Sequence, residues 1–203
     1  MIRFLDLLIS FFGLILFSPI LVIVSICIII DSKLPVFYTQ CRVGKNNRDF
    51  NVVKFRTMKT DNESNFFLTA KENASRITKV GAFLRKSKLD ELPQLINVLK
   101  GEMSIVGPRP EVRKYVNMYS EEQKEILKAR PGITDYAAIK YFNEEAILAN
   151  SDNPEQLYIT KILPEKILLN KLYINNISVK EYLKIIFITL NCIFRQGMGE
   201  TKS

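Results

Sequence analysis

Asp90 and Glu91 stand side by side in RKSKLDELPQL, Arg85 to Leu95, behind Arg85, Lys86 and Lys88. Pro93 follows, and a helix tolerates proline only in its first turn, where the backbone N–H groups lack partners anyway. A helix is therefore expected to start between Leu89 and Leu92, with both carboxylates at the positive end of its dipole. Free amides plus Arg85 and Lys88 would make an anion site suited to phosphate. A carboxylate held ionised there can attack phosphorus. Its neighbour can hold Mg²⁺, a hard cation that takes oxygen ligands and bridges phosphates. The same residues have a plain structural use, because acidic side chains favour helix starts and Asp90 can serve as the cap. Residue type and spacing leave both uses open.

Four more cations could complete a phosphate site. Lys54 and Arg56 are two apart in VVKFRTM and share one face of a strand. Arg109 is fixed between Pro108 and Pro110, and Arg130 precedes Pro131-Gly132. An arginine on a proline-stiffened loop loses little entropy when it forks onto a phosphate. Each could equally be a surface charge. Composition narrows the chemistry. Histidine is absent, which excludes Ser-His-Asp and Cys-His catalysis and histidine metal sites. Cys27, Cys41 and Cys192 are far apart, so neither a zinc site nor a disulfide framework is indicated, and a reducing compartment fits. There is no G-x-G-x-x-G and no G-x-x-x-x-G-K-[ST]. Lys+Arg is 29 and Asp+Glu is 21, so the net charge is 29 − 21 = +8. That balance suits phosphorylated substrates, anionic lipid or nucleic acid. Aromatic and basic residues do not interleave and no nucleic-acid module occurs, so no nucleic-acid partner is expected.

These side chains need elements to position them. From Leu7 to Ile30 the chain carries 24 uncharged residues, about 36 Å as one helix against a hydrocarbon core of about 30 Å. No alanine precedes Ala70, so there is no A-x-A cleavage site for a signal peptide. Ser18-Pro19 falls mid-run and divides it into limbs of about 18 Å, each too short to span alone. Such a helix can kink and still cross, or bend back and leave on the side it entered. Arg3 before it and Lys33, Arg42, Lys45 and Arg48 after it favour the second arrangement slightly, because basic flanks prefer the cytoplasm.

Residues 31–203 read as one domain behind a membrane segment at 1–30. PVFYTQCRV and DFNVVKFRTM form two strands around a turn at Lys45-Asn46-Asn47. TKVGAFLRK and ELPQLINVLKG form helices, the second ended by Gly101. GPRPE and ARPGIT are stiff loops. Ser120 and Gln123 make a capping box that opens a helix over EEQKEILKA. Helices follow at Glu144–Ala149 and Pro164–Tyr173. SVKEYLKIIFITLNCIFRQ is either a core helix or an amphipathic helix on a bilayer surface. The fold class is α+β, mostly helical, with a small β-hairpin.

Taken together, VVKFRTM, TKVGAFLRKSKLDELPQLINVLKGEMSIVGPRPE and ARPGIT, in this order behind a Ser-Pro-broken apolar helix, closely resemble the bacterial sugar transferase family. More narrowly they resemble its small monotopic phosphoglycosyl transferases. The resemblance runs from Leu7 to about Gln196, and its central motif exceeds thirty residues. It implies transfer of a sugar 1-phosphate from a UDP-sugar to polyprenyl (undecaprenyl) phosphate, with release of UMP. It also implies Mg²⁺ dependence and a ping-pong path through a covalent aspartyl phosphosugar. By the match, Asp90 is the nucleophile and Glu91 helps hold the metal. Lys54, Arg85, Arg109 and Arg130 match positions around the phosphates and nucleotide, and Arg56 on the strand of Lys54 is expected in the same set. The resemblance further implies a re-entrant N-terminal helix broken at Ser18-Pro19, a compact cytosolic domain with interfacial amphipathic helices, and a location at the cytoplasmic face of the bacterial inner membrane. One membrane segment is expected where larger relatives carry more.

Two stretches depart from the family pattern. Relatives often carry L-D-x-x-Y near the C-terminus, where this chain has Leu169-Asn170-Lys171-Leu172-Tyr173. After RPGIT many have Gly-Leu/Trp-x-Gln, where this chain has DYAAIKYFNEE. The second departure leaves the sugar open. The first leaves room for a non-catalytic membrane-associated relative acting as a partner protein. A Mg²⁺-dependent polyprenyl-phosphate phosphatase and a basic membrane anchor for nucleic acid are further alternatives.

Overall fold

The computed structural model describes residues 1–59 and 76–197. The N-terminal apolar run forms one helix, α1 (Ile2–Ser32). The break expected at Ser18-Pro19 does not interrupt it, and Pro19 lies inside. Proline cannot donate to the carbonyl four residues back. The Ser18 hydroxyl donates to that carbonyl, of Ile15, at 2.8 Å. The Ser-Pro pair thus removes a backbone donor and supplies a side-chain one, which matters most where no water can substitute.

One stripe of α1 packs on the rest of the chain with helical spacing. Ile2, Leu5, Ile9 and Leu14 pack on a cluster that includes Leu95, Val98 and Met103. Leu21, Val24 and Ile28 pack with Phe55, Leu84 and Leu89. The other faces expose Phe4, Phe11, Phe12, Leu16, Ile23 and Ile30. Among the described residues α1 is the one helix long and apolar enough to cross a membrane.

Both ends of α1 are bonded to the domain it packs on. Arg3 donates to the carbonyls of Leu99 (3.2 Å) and Met103 (3.4 Å). At the far end Asp31 accepts from the Val80 amide at 3.1 Å.

The hairpin forms as expected. Strands β1 (Phe37–Val43) and β2 (Asp49–Phe55) are antiparallel, with Val43 opposite Asp49. Asn46 and Asn47 take positive φ (55° and 61°) at its tip, which asparagine tolerates better than most residues. Helix α2 (Lys79–Ser87) is capped by Thr78, whose hydroxyl accepts from Gly81 at 2.9 Å. The next helix starts later than expected. A 3₁₀ turn covers Leu89–Glu91, and α3 (Gln94–Lys100) follows with Pro93 at its N-cap and Gly101 (φ 86°) at its end. Asp90 makes no capping hydrogen bond.

Two short strands were not anticipated. Parallel β3 (Ser104–Val106) lies just before the GPRPE loop, and β4 (Gly132–Thr134) lies where the ARPGIT stretch was expected to be a stiff loop. The capping box at Ser120 and Gln123 is present, with reciprocal bonds of 2.9 and 3.2 Å, but it opens a 3₁₀ turn (Gln123–Lys128) rather than an α-helix. Helices α4 (Arg113–Val116), α5 (Tyr136–Lys140), α6 (Glu144–Ala149) and α7 (Pro154–Leu157) are short. α7 continues through a π turn (Tyr158–Ile162) into α8 (Leu163–Asn175). The last helix, α9 (Val179–Gly197), buries Tyr182 and Ile185 in the core. It exposes Leu183, Phe187, Leu190 and Phe194 as a second apolar stripe. The fold is mostly helical with a small antiparallel hairpin, as expected.

Candidate active site

The 3₁₀ turn Leu89–Glu91 seats the two carboxylates above α1. Leu89 packs toward Val24 and Ile28, and Leu95 toward the Leu5–Leu14 stripe. Apolar residues therefore anchor the segment on both sides of the acidic pair, which leaves Asp90 and Glu91 each 9% exposed.

Glu91 is held by two cations from two other elements. Lys54 at the end of β2 donates to Oε1 at 2.8 Å. Arg109 donates to the same Oε1 at 2.5 Å and to Oε2 at 3.4 Å. Burial pushes the Glu91 carboxyl up, but Arg109 and Lys54 outweigh it and hold Glu91 well below the usual carboxylate range. The same contact raises Arg109 above its ordinary value. Burial lowers Lys54, with Glu91 opposing.

Asp90 is in the opposite condition. Its Oδ1 is buried without a hydrogen-bond partner. Burial first, then the Glu91 charge, pushes its carboxyl up to about 6, while Lys54, Lys88 and Arg85 pull it back. Neighbouring carboxylates in unlike surroundings are a common arrangement at sites of chemistry.

Arg109 sits on a loop fixed by backbone packing. Gly107 N donates to Thr134 O (3.0 Å) and Gly132 N to Pro108 O (2.9 Å). A Cβ on Gly132 would lie 2.1 Å from Gly107 N, and one on Gly107 would lie 2.4 Å from Arg130 O, so only glycine fits this contact. Asp135, fully buried, accepts the Arg109 amide at 3.0 Å and caps α5 through Ala138. Burial pushes the Asp135 carboxyl up, and those amide bonds oppose it. Arg42 closes the other side of the loop through Glu111 at 3.3 Å. Sequence reasoning missed Asp135, although an aspartate directly before a short helical stretch is a cap signal.

The structure therefore brings Asp90, Glu91, Lys54 and Arg109 together, with Arg85 and Lys88 near enough to act on Asp90. Arg85 pairs with Glu145, and Lys88 lies 4.9 Å over the Phe142 ring. The other two expected cations are engaged elsewhere. Arg56 is buried and donates to Ser32 O (2.8 Å), Lys33 O (2.6 Å) and Leu34 O (3.3 Å), the last carbonyl of α1 and the two that follow it. Arg130 Nε donates to Gly101 O at 3.1 Å, at the C-terminal end of α3. Asn170 is buried on α8, and its Oδ1 has no hydrogen-bond partner.

Among the described residues no three acidic or cysteine side chains are grouped to hold a metal unaided. The site nevertheless fits Mg²⁺. That ion takes one or two carboxylates and completes its shell with water and substrate phosphate. The unpartnered Asp90 Oδ1 and the weakly engaged Glu91 Oε2 are such oxygens.

A family model described as "Bacterial sugar transferase" matches residues 1–196. The chain is 37% identical over 200 residues to a UDP-N-acetylgalactosamine-undecaprenyl-phosphate N-acetylgalactosaminephosphotransferase of Aeromonas hydrophila, covering 97% of this chain and 44% of that protein. It is 39% identical over 188 residues to a UDP-glucose:undecaprenyl-phosphate glucose-1-phosphate transferase of Klebsiella pneumoniae, covering 91% of this chain and 38% of that one. It is 33% identical over 206 residues to the exopolysaccharide production protein ExoY of Rhizobium meliloti, covering 94% of this chain and 84% of ExoY. The chain thus spans less than half the length of the first two relatives.

Proposed function

The chain belongs to the bacterial sugar transferase family, and on that premise we propose that it transfers a sugar 1-phosphate from a UDP-sugar to polyprenyl phosphate, releasing UMP. The observation that carries this reading is the unlike pair of carboxylates. Asp90 is buried with an unpartnered oxygen, and Glu91 is clamped by Lys54 and Arg109, on a segment seated on an apolar helix.

Asp90 is the nucleophile. Its carboxylate oxygen bonds to the β-phosphorus of the UDP-sugar, and the bond from that phosphorus to the oxygen bridging the two phosphates breaks. UMP leaves with the bonding pair. An oxygen of polyprenyl phosphate then attacks the same phosphorus, the aspartyl–phosphorus bond breaks, and Asp90 returns as a carboxylate. Burial makes Asp90 more basic than an ordinary aspartate and keeps water from the covalent phosphosugar. Glu91 orients Lys54 and Arg109 as a unit toward the phosphates, and Arg85 joins them when it releases Glu145. Mg²⁺, held by Asp90 and Glu91, would offset the repulsion between a carboxylate and a diphosphate.

The bonds at both ends of α1 support the re-entrant reading. A helix whose ends are fixed to one polar domain enters and leaves the bilayer on the same side. The exposed faces of α1 and the α9 stripe then rest in the inner membrane from its cytoplasmic side. This places Asp90 at headgroup depth, where the lipid phosphate lies and the UDP-sugar arrives from water.

The test is UMP release by purified protein in detergent with Mg²⁺ and undecaprenyl phosphate, across a panel of UDP-sugars. One sugar giving UMP with wild type and none with Asp90→Asn is expected. Inorganic phosphate in place of UMP would favour a phosphatase.

A further inference from the structure

An aspartate on the buried stripe of a long apolar helix is costly unless its charge is fully engaged. Asp6 is 2% exposed. Its Oδ1 accepts three bonds, each 2.9 Å, from the Ser104 hydroxyl, the Ile105 amide and the Tyr182 hydroxyl. Its Oδ2 lies 3.9 Å from Arg3. The three donors belong to β3 and α9, so a single carboxylate ties α1, β3 and α9 together.

Those elements have different tasks in the account above. α1 and α9 carry the exposed apolar faces. β3 runs directly into the Gly107–Pro110 loop, whose Arg109 holds Glu91 beside Asp90. Tyr182 is fully buried on the α9 face opposite Phe187 and Phe194, so its hydroxyl reports the helix's position to Asp6. We propose that Asp6 is a positioning residue that fixes the catalytic carboxylates at a set height above the membrane-facing apolar surface, and so governs the step with the lipid acceptor.

This rests on the transferase reading, and it separates the two half-reactions. The UDP-sugar comes from water and meets Lys54, Arg85 and Arg109 whatever the height of the surface beneath. The lipid phosphate has its depth imposed by the bilayer, so a change in that height displaces it from Asp90. Misplacement of about 1 Å is enough to slow a reaction strongly.

The experiment uses the full chain in nanodiscs, as wild type, Asp6→Ala, Asp6→Asn and Tyr182→Phe. Asn keeps an acceptor oxygen for Ser104 and Ile105, and Tyr182→Phe deletes one donor only, so both test the idea if the alanine variant fails to fold. Hydrogen exchange at the Ile105 amide reads the latch independently of activity. It should speed up in Asp6→Ala and stay near wild type in Asp6→Asn. UMP release from donor alone should stay within about twofold, while KM for polyprenyl phosphate rises about tenfold in Asp6→Ala and about threefold in Tyr182→Phe. Unchanged exchange at Ile105, or equal losses in the donor and acceptor steps, would overturn the proposal. If wild type transfers no sugar phosphate while exchange at Ile105 responds, the transferase reading fails and the latch stands as a structural tie only.

Discussion

Lys54 and Arg109 converge on one oxygen of Glu91, and a double-mutant cycle can establish whether they act through it. Each makes a charge-assisted hydrogen bond to Oε1, at 2.8 and 2.5 Å. Hydrogen bonds to charged groups contribute about 1.5–3 kcal/mol, which is roughly 10- to 150-fold in a rate constant. Lys54→Met and Arg109→Met should each lower kcat/KM for UMP release by a factor in that range. Arg109 is 39% exposed at its side chain, so solvent screening puts its effect on stability near the lower end. The double variant carries the information. If Glu91 holds the two cations as one unit facing the phosphates, losing either one disorders the other, and losing both adds at most about tenfold beyond the worse single variant. If each acts on the phosphates independently of Glu91, the losses multiply, to roughly 10²–10⁴. Initial UMP release at low UDP-sugar measures all four proteins under one condition. A multiplicative result in folded protein would refute the unit formed by Lys54, Glu91 and Arg109.

Other perturbations test other joints of the structure. Asp90→Asn should abolish turnover without lowering the melting temperature in chelator, because a buried carboxylate with an unpartnered oxygen becomes neutral; a clear drop would mean that the Asp90 charge stabilises the fold. Gly132→Ala forces a Cβ to within 2.1 Å of Gly107 N. It should cost about 3 kcal/mol or more in thermal unfolding and displace Arg109, whereas Gly13→Ala meets only the Leu95 side-chain end at 3.3 Å and should be tolerated. Pro19→Ala restores the backbone donor to Ile15, and because both ends of α1 stay bonded to the domain residue 2 should remain protected from outside cysteine labelling in intact cells; outside access would contradict the re-entrant reading.

The hairpin was legible because alternation and an Asn-rich turn specify it locally. The acidic pair was legible only as a candidate, because residue type and spacing also allowed a plain helix-start use, and it was the resemblance that gave the pair a chemical role. Arg56 shows where such reasoning stops. The two-residue alternation that pairs it with Lys54 holds only inside the strand, and β2 ends at Phe55. Arg56 leaves the ladder and serves the carbonyl end of α1 instead. The turn after Ser120 shows a second limit. Its capping box is intact, but the segment it opens is a 3₁₀ turn that ends at Ala129, extended (ψ 158°) two residues before Pro131. β3 and β4 are three residues each within Pro- and Gly-rich loops, and what specifies them is the non-local fit of Gly107 against Gly132. Nothing in the sequence singled out Asp6, because its three partners lie about a hundred residues or more away.

The central claim is a covalent bond between Asp90 and the sugar phosphate. The most direct measurement is the intact mass of the protein after incubation with Mg²⁺ and the UDP-sugar that supports UMP release, without acceptor. The account predicts a mass gain of one sugar phosphate, mapped to the peptide containing Asp90, absent from Asp90→Asn and discharged by polyprenyl phosphate. Sustained transfer with no adduct at any time, or an adduct on another residue, would contradict it.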